Sequence, residues 1–427
     1  MNEDLLAYIW SYKLYQPNTL RTIKNELVEV ISAGQLNRHG GPDFHHAMIR
    51  IGGRLWAGHV ELHVRSSDWN QHGHEKDGHY NNVILHVVFE HDSEIRNQRG
   101  QSLPTLELKP MISDELIRKY SDWQSSAQWI PCERHLKEGK IPQIVWSAVL
   151  DRMAIERLED KARQIVEFMR SQNGDWFVAF LHVVCRSFGY KVNAEPMASL
   201  AARLPWNALL RSQNDRLRLE AIVFGMAGML EGNPEDSYHA LLTHEYRFMQ
   251  TKYGYKSLDP VIWQWGRVRP SNVPTIRLAQ LCAAISDADR IREILLNTDT
   301  TAEAMFRFEF PPVSSYWNTH HRFGKTSAQN HGIPGKPAIQ SLMINTIAPF
   351  WFAYGLDHSR QDYLDKAVEL LQLCLPENNG ILKKWRTLGV PVERAHDSQA
   401  LLQLFHHYCS RKRCLKCGVG HKLLRES

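Results

Sequence analysis

The stretch MIRIGGRLWAGHVELHVR, residues 48–65, sets the fold class of the first part of the chain. Gly52 and Gly53 stand between two segments in which apolar and polar residues largely alternate. Glycine pairs of this kind form two-residue turns, because both positions of the turn need a positive φ angle. The pattern therefore predicts a β-hairpin made of residues 48–51 and 54–65.

Further strands are predicted on either side of this hairpin. Residues 83–90, VILHVVFE, are a nearly all-apolar run of strand length, which is typical of a strand buried on both faces. Residues 27–31 and 103–108 are predicted as additional strands, and residues 3–13 as a short helix. The first part of the chain is therefore predicted to contain a mixed β-sheet.

After about Pro142 the pattern changes to that of amphipathic helices. Ile155, Leu158 and Ala162 begin a series of apolar residues at spacings of three and four, with charged residues between them. Similar patterns occur at residues 175–188, 216–230, 275–285, 362–373 and 398–408. We predict an α+β protein with a mixed-sheet domain at residues 1–140, a larger all-α domain at residues 141–403 and a tail at residues 404–427.

The composition is that of an ordinary globular protein, with 43% hydrophobic and 23% charged residues among 427. No apolar run reaches the ~18 residues of a membrane span, and the acidic first residues do not form a signal peptide, so no membrane partner is predicted. Seven cysteines, an odd number, favour a reducing compartment, and we predict a cytoplasmic protein. The sequence gives no indication of the oligomeric state.

The tail is basic. Its 24 residues contain six lysines or arginines and one glutamate, a balance equal to the +5 net charge of the whole chain. Such a tail suits contact with the phosphates of a nucleic acid, and it is equally typical of a solvated terminus.

Chemically active side chains are concentrated between residues 34 and 92. In GHVELHV, residues 58–64, strand alternation directs Glu61 and His63 to one face and the aliphatic residues to the other. Asp43 follows a turn rich in glycine and proline, and the 17 residues between Asp43 and Glu61 suffice for one hairpin. We predict that Asp43 and Glu61 hold Mg²⁺ or Mn²⁺ and that His63 orients or activates a water molecule.

A polar loop with further candidate residues follows the hairpin. His72 and His74 beside Asp77 form a second metal site or a phosphate clamp, unless the loop has no single role. Asp68 belongs to the same group of candidates. His86 lies inside the apolar run 83–90, where it is either a core residue or turned toward the same site.

Three cysteines of the tail have the spacing Cys409-x4-Cys414-x2-Cys417, which suits Zn²⁺ or an iron–sulfur cluster. The candidates for a fourth ligand are His421, His407, His406 and the distant Cys374. The remaining cysteines lie among apolar residues and are predicted to be core residues; they are Cys132, Cys185 and Cys282.

The order Pro42-Asp43, hairpin and Glu61-x-His63 resembles the core of the PD-(D/E)XK nucleases. In that superfamily an aspartate and a glutamate hold a divalent metal ion, and a lysine two residues after the glutamate helps to activate water. The resemblance implies a restriction-endonuclease-like domain in which Asp43 and Glu61 are metal ligands and His63 replaces the lysine. Glu3 has the position of an acidic residue that often lies in the first helix of these proteins.

Motifs along most of the chain also resemble a bacterial family catalogued as domain of unknown function 2851. They are GQLNRHGGPDF (34–44), VELHVRSSDWNQHGH (60–74), NVILHVV (82–88), RPSNVPTIRLAQL (269–281), DSQALLQL (397–404) and YCSRKRCLKCGVG (408–420). This family implies no particular activity.

The leading functional hypothesis is a metal-dependent phosphodiesterase, a nuclease-like enzyme that acts on nucleic acid. One alternative is a non-catalytic nucleic-acid-binding or scaffold protein that keeps a degraded nuclease fold. A second alternative is a histidine-rich metal hydrolase with another substrate, which would use His72, His74 and Asp77.

Overall fold

The computed structural model describes residues 1–16, 20–138, 141–171, 174–190, 192–266, 268, 272–309, 311–328, 330 and 332–426. The chain divides into two compact units. The first consists of Met1–Val149 together with Leu404–Ser427, and the second is Leu150–Gln403. The basic C-terminal residues thus belong to the same unit as the β-sheet.

A six-stranded mixed sheet forms the centre of the first unit. Its strands are β1 (Val28–Ser32), β2 (Gln35–Leu36), β3 (Phe44–Ile51), β4 (Arg54–Arg65), β5 (Val83–Glu90) and β6 (Thr105–Glu107). Strand β3 pairs antiparallel with β1, β2 and β4, whereas β5 pairs parallel with both β4 and β6. Gly52 and Gly53 have φ angles of 57° and 85° and connect β3 to β4, so the predicted hairpin is confirmed.

Helices accompany the sheet in the first unit. They are α1 (Glu3–Ser11), α2 (Asp68–Gln71), α3 (Asp114–Ser125), α4 (Glu133–Glu138) and, at the C-terminal end, α19 (Gly418–Arg425). Helix α1 is capped by Asn2, whose side chain accepts a hydrogen bond from the N–H of Leu5 at 3.0 Å. Its Leu6, Ile9 and Trp10 are completely buried, so one side of the helix packs in the core.

The second unit is predominantly helical. Its helices, including two that extend across the unit boundary, are α5 (Gln143–Ser171), α6 (Trp176–Phe188), α7 (Ala194–Ala201), α8 (Trp206–Arg211), α9 (Arg216–Met226), α10 (Ser237–Tyr253), α11 (Pro274–Ser286), α12 (Ala288–Asn297), α13 (Thr301–Arg307), α14 (Lys336–Leu342), α15 (Ala348–His358), α16 (Gln361–Leu373), α17 (Gly380–Thr387) and α18 (Ala395–Leu404). The predicted α+β class, with a mixed sheet followed by a larger helical part, is confirmed.

One short hairpin departs from the all-α prediction for this part of the chain. Strands β7 (His320–Arg322) and β8 (Lys325–Thr326) are joined through Gly324, whose φ of 63° allows the tight reversal. Each strand has three residues or fewer, too short for an alternating sequence pattern to reveal it. Across the described parts of both units, no helix has the length and apolar character needed to cross a membrane.

Gly58 allows β4 and β5 to approach each other closely. A Cβ atom at this position would lie 2.4 Å from Cγ2 of Ile84 and 2.6 Å from the carbonyl oxygen of Asn82. We expect Gly58→Ala to lower the free energy of unfolding by about 1–3 kcal/mol, because the backbone of β5 must shift. Urea unfolding measures this, with Gly40→Ala as the control, since a Cβ atom at Gly40 meets nothing within 4 Å. Equal stability of the two variants would contradict the close approach.

Candidate functional site

Strands β4 and β5 bring three chemically active residues together. Glu61 and His63 of β4 are 5% and 1% exposed, and His86 of β5 is completely buried. The parallel register places His86 opposite Glu61. His63 Nδ1 and His86 Nε2 are 2.9 Å apart, at hydrogen-bonding distance. The sequence left open whether His86 is only a core residue or is turned toward the site. In the structure it turns toward Glu61 and His63.

The segment after β4 folds back over these residues. Gly73 has a φ of 75° and separates α2 from a short 3₁₀ helix at His74–Lys76. This reversal places His72 Nδ1 3.1 Å from His63 Nε2 and His74 Nε2 3.3 Å from Glu61 Oε1. Potential ligand atoms of His63, His72 and His74 all lie within 4.8 Å of one another. His72 is exposed, whereas His63 and His74 are buried.

Aromatic side chains hold these imidazoles in place. Trp69 is completely buried, and its ring lies edge-on to His74 and His86 at 5.3 Å and 5.4 Å between centroids. Its Nε1 donates a hydrogen bond to the carbonyl oxygen of Arg96 at 3.0 Å. Tyr80 stacks on His74 at 3.8 Å. No sequence pattern assigns these two aromatic residues a role, although each lies within six residues of His74.

The carboxylates of Asp43 and Glu61 are linked through the backbone. The N–H of Asp43 donates to Glu61 Oε2 at 3.0 Å, and the N–H of Leu62 donates to Asp43 Oδ2 at 3.0 Å. The structure thus brings the two residues together as the hairpin spacing predicted. Burial, followed by the charge of Glu61, raises the pKa of Asp43 to about 7, although the Leu62 N–H opposes the change.

Glu3 in the first turn of α1 is electrostatically connected to the same group. Burial raises the pKa of Glu3, the nearby His72 opposes this change, and the charges of Asp68 and Glu61 add to it. The structure thus places the Glu3 carboxyl within electrostatic range of Glu61 and His72. From the sequence alone, only the position of Glu3 in the first helix suggests this relation.

Burial makes the central imidazoles difficult to protonate. It lowers the pKa of His63 to about 3, and the neighbouring His74 and His72 contribute to the shift. Burial also lowers the pKa of His86 well below its usual value, with a further contribution from His63. Both rings are therefore neutral near pH 7, the form in which histidine binds metal ions.

Two carboxylates from the predicted second group have other partners. Asp77 Oδ1 accepts a hydrogen bond from the N–H of His79 at 2.9 Å and lies 2.7 Å from His79 Nδ1. Asp68 Oδ2 accepts a hydrogen bond from the N–H of Arg65 at 2.9 Å. The structure thus joins His72 and His74 to Glu61 and His63, and Asp68 and Asp77 cap turns of the surrounding loop.

The tail cysteines Cys409, Cys414 and Cys417 are all buried in the first unit. The N–H of Cys417 donates to the carbonyl oxygen of Cys414 at 3.2 Å, which closes a tight turn between them. His421 Nδ1 is 2.7 Å from the hydroxyl of Tyr8. Cys374 lies in the core of the second unit. His406 and His407 occupy a π-helical turn at Phe405–Cys409 that leads directly into the first tail cysteine.

The fold and the site define an α+β protein with a buried cluster of imidazoles and carboxylates beside its sheet. A family model described as "Protein of unknown function (DUF2851)" matches residues 3–380, and the chain belongs to this family, as its motifs predicted. No curated protein and no solved structure matches the chain.

Proposed function

We propose that the first unit is a metal-dependent phosphodiesterase whose metal ion is held by His63, His72 and His74. The observation that carries the proposal is the convergence of these three imidazoles, with their potential ligand atoms within 4.8 Å of one another. Glu61 supplies a carboxylate oxygen beside two of these imidazoles, because its Oε1 lies 3.3 Å from His74 Nε2 and 3.8 Å from His63 Nε2. Three imidazoles and one carboxylate are a common donor set for a catalytic transition-metal ion.

The donor set favours Mn²⁺ or Zn²⁺ over Mg²⁺. Imidazole nitrogen suits transition-metal ions, whereas Mg²⁺ binds oxygen ligands and keeps several water molecules. An ion of this type supplies Lewis-acid activation of water and of a phosphate group when bound. His72 is exposed while Glu61, His63 and His74 are buried, so substrate and water reach the cluster from the His72 side.

Asp43 is suited to accept and return a proton beside this cluster. Its Oδ2 is fixed by the Leu62 N–H at 3.0 Å, and its own N–H holds Glu61 Oε2 at the same distance. A positioned carboxylate contributes about 10²–10⁴-fold to a rate when it transfers a proton in the transition state. We therefore assign Asp43 the role of general base or acid and Glu61 the role of an oxygen ligand.

The proposed substrate is nucleic acid. Three acidic residues, Glu3, Asp43 and Glu61, stand at positions that resemble those of a PD-(D/E)XK nuclease, and electrostatic coupling of Glu3 and of Asp43 to Glu61 supports this comparison. The basic C-terminal residues belong to the same unit as the cluster. The proposed location is the reducing cytoplasm, because an odd number of cysteines, seven, suits a compartment without disulfides.

A second candidate is a metal hydrolase with another substrate. The position of His63 favours this candidate, because His63 lies among the potential metal ligands. In a PD-(D/E)XK nuclease, the lysine at this position is not a metal ligand. Rates measured with bis(p-nitrophenyl) phosphate, single- and double-stranded DNA, RNA, p-nitrophenyl acetate and a casein digest separate the two candidates. Metal-dependent cleavage of p-nitrophenyl acetate or casein, without cleavage of the phosphodiester substrates, favours the second candidate. Binding of nucleic acid without turnover on any substrate favours the non-catalytic scaffold.

We expect His72→Ala to weaken Mn²⁺ and Zn²⁺ binding by about 100-fold or more. The substitution removes one nitrogen donor from the cluster, and loss of even an outer-shell partner of a metal ligand costs about 10–100-fold. Isothermal titration calorimetry on the full chain measures the change. His79→Ala is the matched control, because His79 lies in the same segment but is exposed and pairs with Asp77. Unchanged affinity in His72→Ala would rule out the proposed ligand set.

A further inference from the structure

Four buried thiols occupy one region of the first unit. Three belong to the tail, and the fourth is Cys132, which precedes α4 and was predicted to be a core residue. Cys132, Cys409, Cys414 and Cys417 are each only 7–8% exposed. Burial alone would also explain a core cysteine, so the relation of Cys132 to the tail depends on how the segment before Cys132 packs.

The segment before Cys132 packs directly on the tail. The rings of Trp129 and Phe405 lie 6.1 Å apart. Gln124 Nε2 donates to the carbonyl oxygen of Lys412 at 3.0 Å, and the Lys412 ammonium donates to the carbonyl oxygen of Gln124. These contacts hold the chain on both sides of Cys409 against the residues that lead to Cys132.

The thiols also affect one another electrostatically. Burial raises the pKa of Cys132 well above its usual value, and Cys417 and Cys414 raise it further. Burial likewise raises the pKa of Cys409, with additional contributions from Cys417, Cys132 and Cys414. The four thiols therefore lie within electrostatic range of one another, in agreement with the packing of the two segments.

We propose that Cys132 is the fourth ligand of a metal centre completed by Cys409, Cys414 and Cys417. Four cysteine sulfurs suit a Zn²⁺ ion or an iron–sulfur cluster. His421, a candidate ligand in the sequence, contacts the Tyr8 hydroxyl through Nδ1 at 2.7 Å, so only its Nε2 remains as an alternative fourth donor. Arg411, Lys412 and Arg413 between the tail cysteines offset the negative charge of four thiolates, so the basic tail has a local role.

This centre would join the two separate pieces of the first unit. Cys132 lies in Met1–Val149, and the other three ligands lie in Leu404–Ser427. A metal bridge between segments so distant in sequence restricts the unfolded chain, which is the condition under which a cross-link stabilises most. The proposed centre is therefore structural, and it is independent of the histidine–carboxylate cluster.

The test is metal analysis of the full chain purified without oxygen. We expect zinc or iron in protein that carries His72→Ala, a substitution that weakens the other proposed metal site. In that background we expect Cys132→Ser to lose the metal as completely as Cys414→Ser does. Cys185→Ser is the control, because Cys185 is completely buried in the second unit and is predicted to leave the metal content unchanged. Colour and acid-labile sulfide identify an iron–sulfur cluster, and elemental analysis identifies zinc. Full metal content in folded Cys132→Ser would overturn the proposal.

Wild-type protein provides a second measurement in case Cys132→Ser does not fold. After replacement of the bound metal by Co²⁺, or reconstitution with Co²⁺ from the apo form, the intensity of the sulfur-to-cobalt charge-transfer bands counts the bound thiolates. We expect four thiolates, and the histidine–carboxylate cluster contributes none to these bands. Three thiolates and one nitrogen donor would identify a histidine as the fourth ligand and exclude Cys132.

Discussion

Glu61→Gln is expected to reduce metal-dependent hydrolysis by about 10³-fold or more, because it removes the buried carboxylate that contacts two of the three imidazoles. Glu61 Oε1 lies 3.3 Å from His74 Nε2 and 3.8 Å from His63 Nε2. Glutamine has the same shape and its carbonyl oxygen still accepts the N–H of Asp43. The loss therefore reports the charge of Glu61 at the metal rather than a collapsed strand. Initial rates on bis(p-nitrophenyl) phosphate and DNA with Mn²⁺ measure it.

The same substitution is expected to stabilise the protein in the presence of a chelator. Asp43 and Glu61 are held together through backbone N–H groups, and the charge of Glu61 contributes to the raised pKa of Asp43. Two neighbouring carboxylates without a cation repel each other, so removal of one charge raises the free energy of unfolding. Glu29→Gln, on the exposed β1 position paired with Arg50, is the control for both measurements. A Glu61→Gln protein that is inactive and also less stable would indicate a structural role only.

The sheet was predictable because its signals are local. The glycine pair and the alternation around residues 48–65 specify the hairpin, and the apolar run of β5 specifies a strand with neighbours on both sides. Helix α10 (Ser237–Tyr253) was not predicted because His239 and Thr243 interrupt its apolar face. Its Asp236 cap, which accepts a hydrogen bond from the N–H of His239 at 2.8 Å, is a signal that was present in the sequence.

The candidate site was predictable only in part. Strand alternation and one hairpin correctly bring Asp43, Glu61 and His63 together. The arrival of His72 and His74 at the same point depends on a chain reversal at Gly73, whose direction a sequence pattern does not specify. Sequence spacing therefore suggested two sites where the structure has one cluster.

Contacts between distant segments could not be predicted from the spacing of residues in the sequence. Cys132 is predicted as a core residue because apolar and aromatic residues surround it in the sequence. Only the docking of the tail brings it within electrostatic range of Cys414 and Cys417. The sequence predicts the tail as a separate basic segment. In the structure, a hydrogen bond between Gln124 and Lys412 connects the tail to α3. Such pairings follow from tertiary packing, which local patterns of charge and hydropathy do not encode.

His63→Lys is expected to weaken metal binding by about 100-fold or more and to reduce metal-dependent activity accordingly. His63 Nε2 lies 3.1 Å from His72 Nδ1 and 3.8 Å from Glu61 Oε1, within the group of potential ligands. A lysine at this position carries a positive charge, and its ammonium group repels a dication while pairing with Glu61. Calorimetric titration with Mn²⁺ and Zn²⁺ and the phosphodiesterase assay measure the two effects.

The same variant separates the two interpretations of His63. If His63 stands for the nuclease lysine and only orients or activates water, a lysine restores the superfamily pattern, and the rate is retained or increased. If His63 is a ligand, His63→Lys fails, whereas His63→Asp, which keeps an oxygen donor, retains measurable metal binding. Circular dichroism and urea unfolding of both variants provide the control, because His63 is 1% exposed and either replacement must be accommodated beside His86. The proposed ligand set, in which His63 Nε2 and His72 Nδ1 lie 3.1 Å apart, therefore predicts failure of His63→Lys.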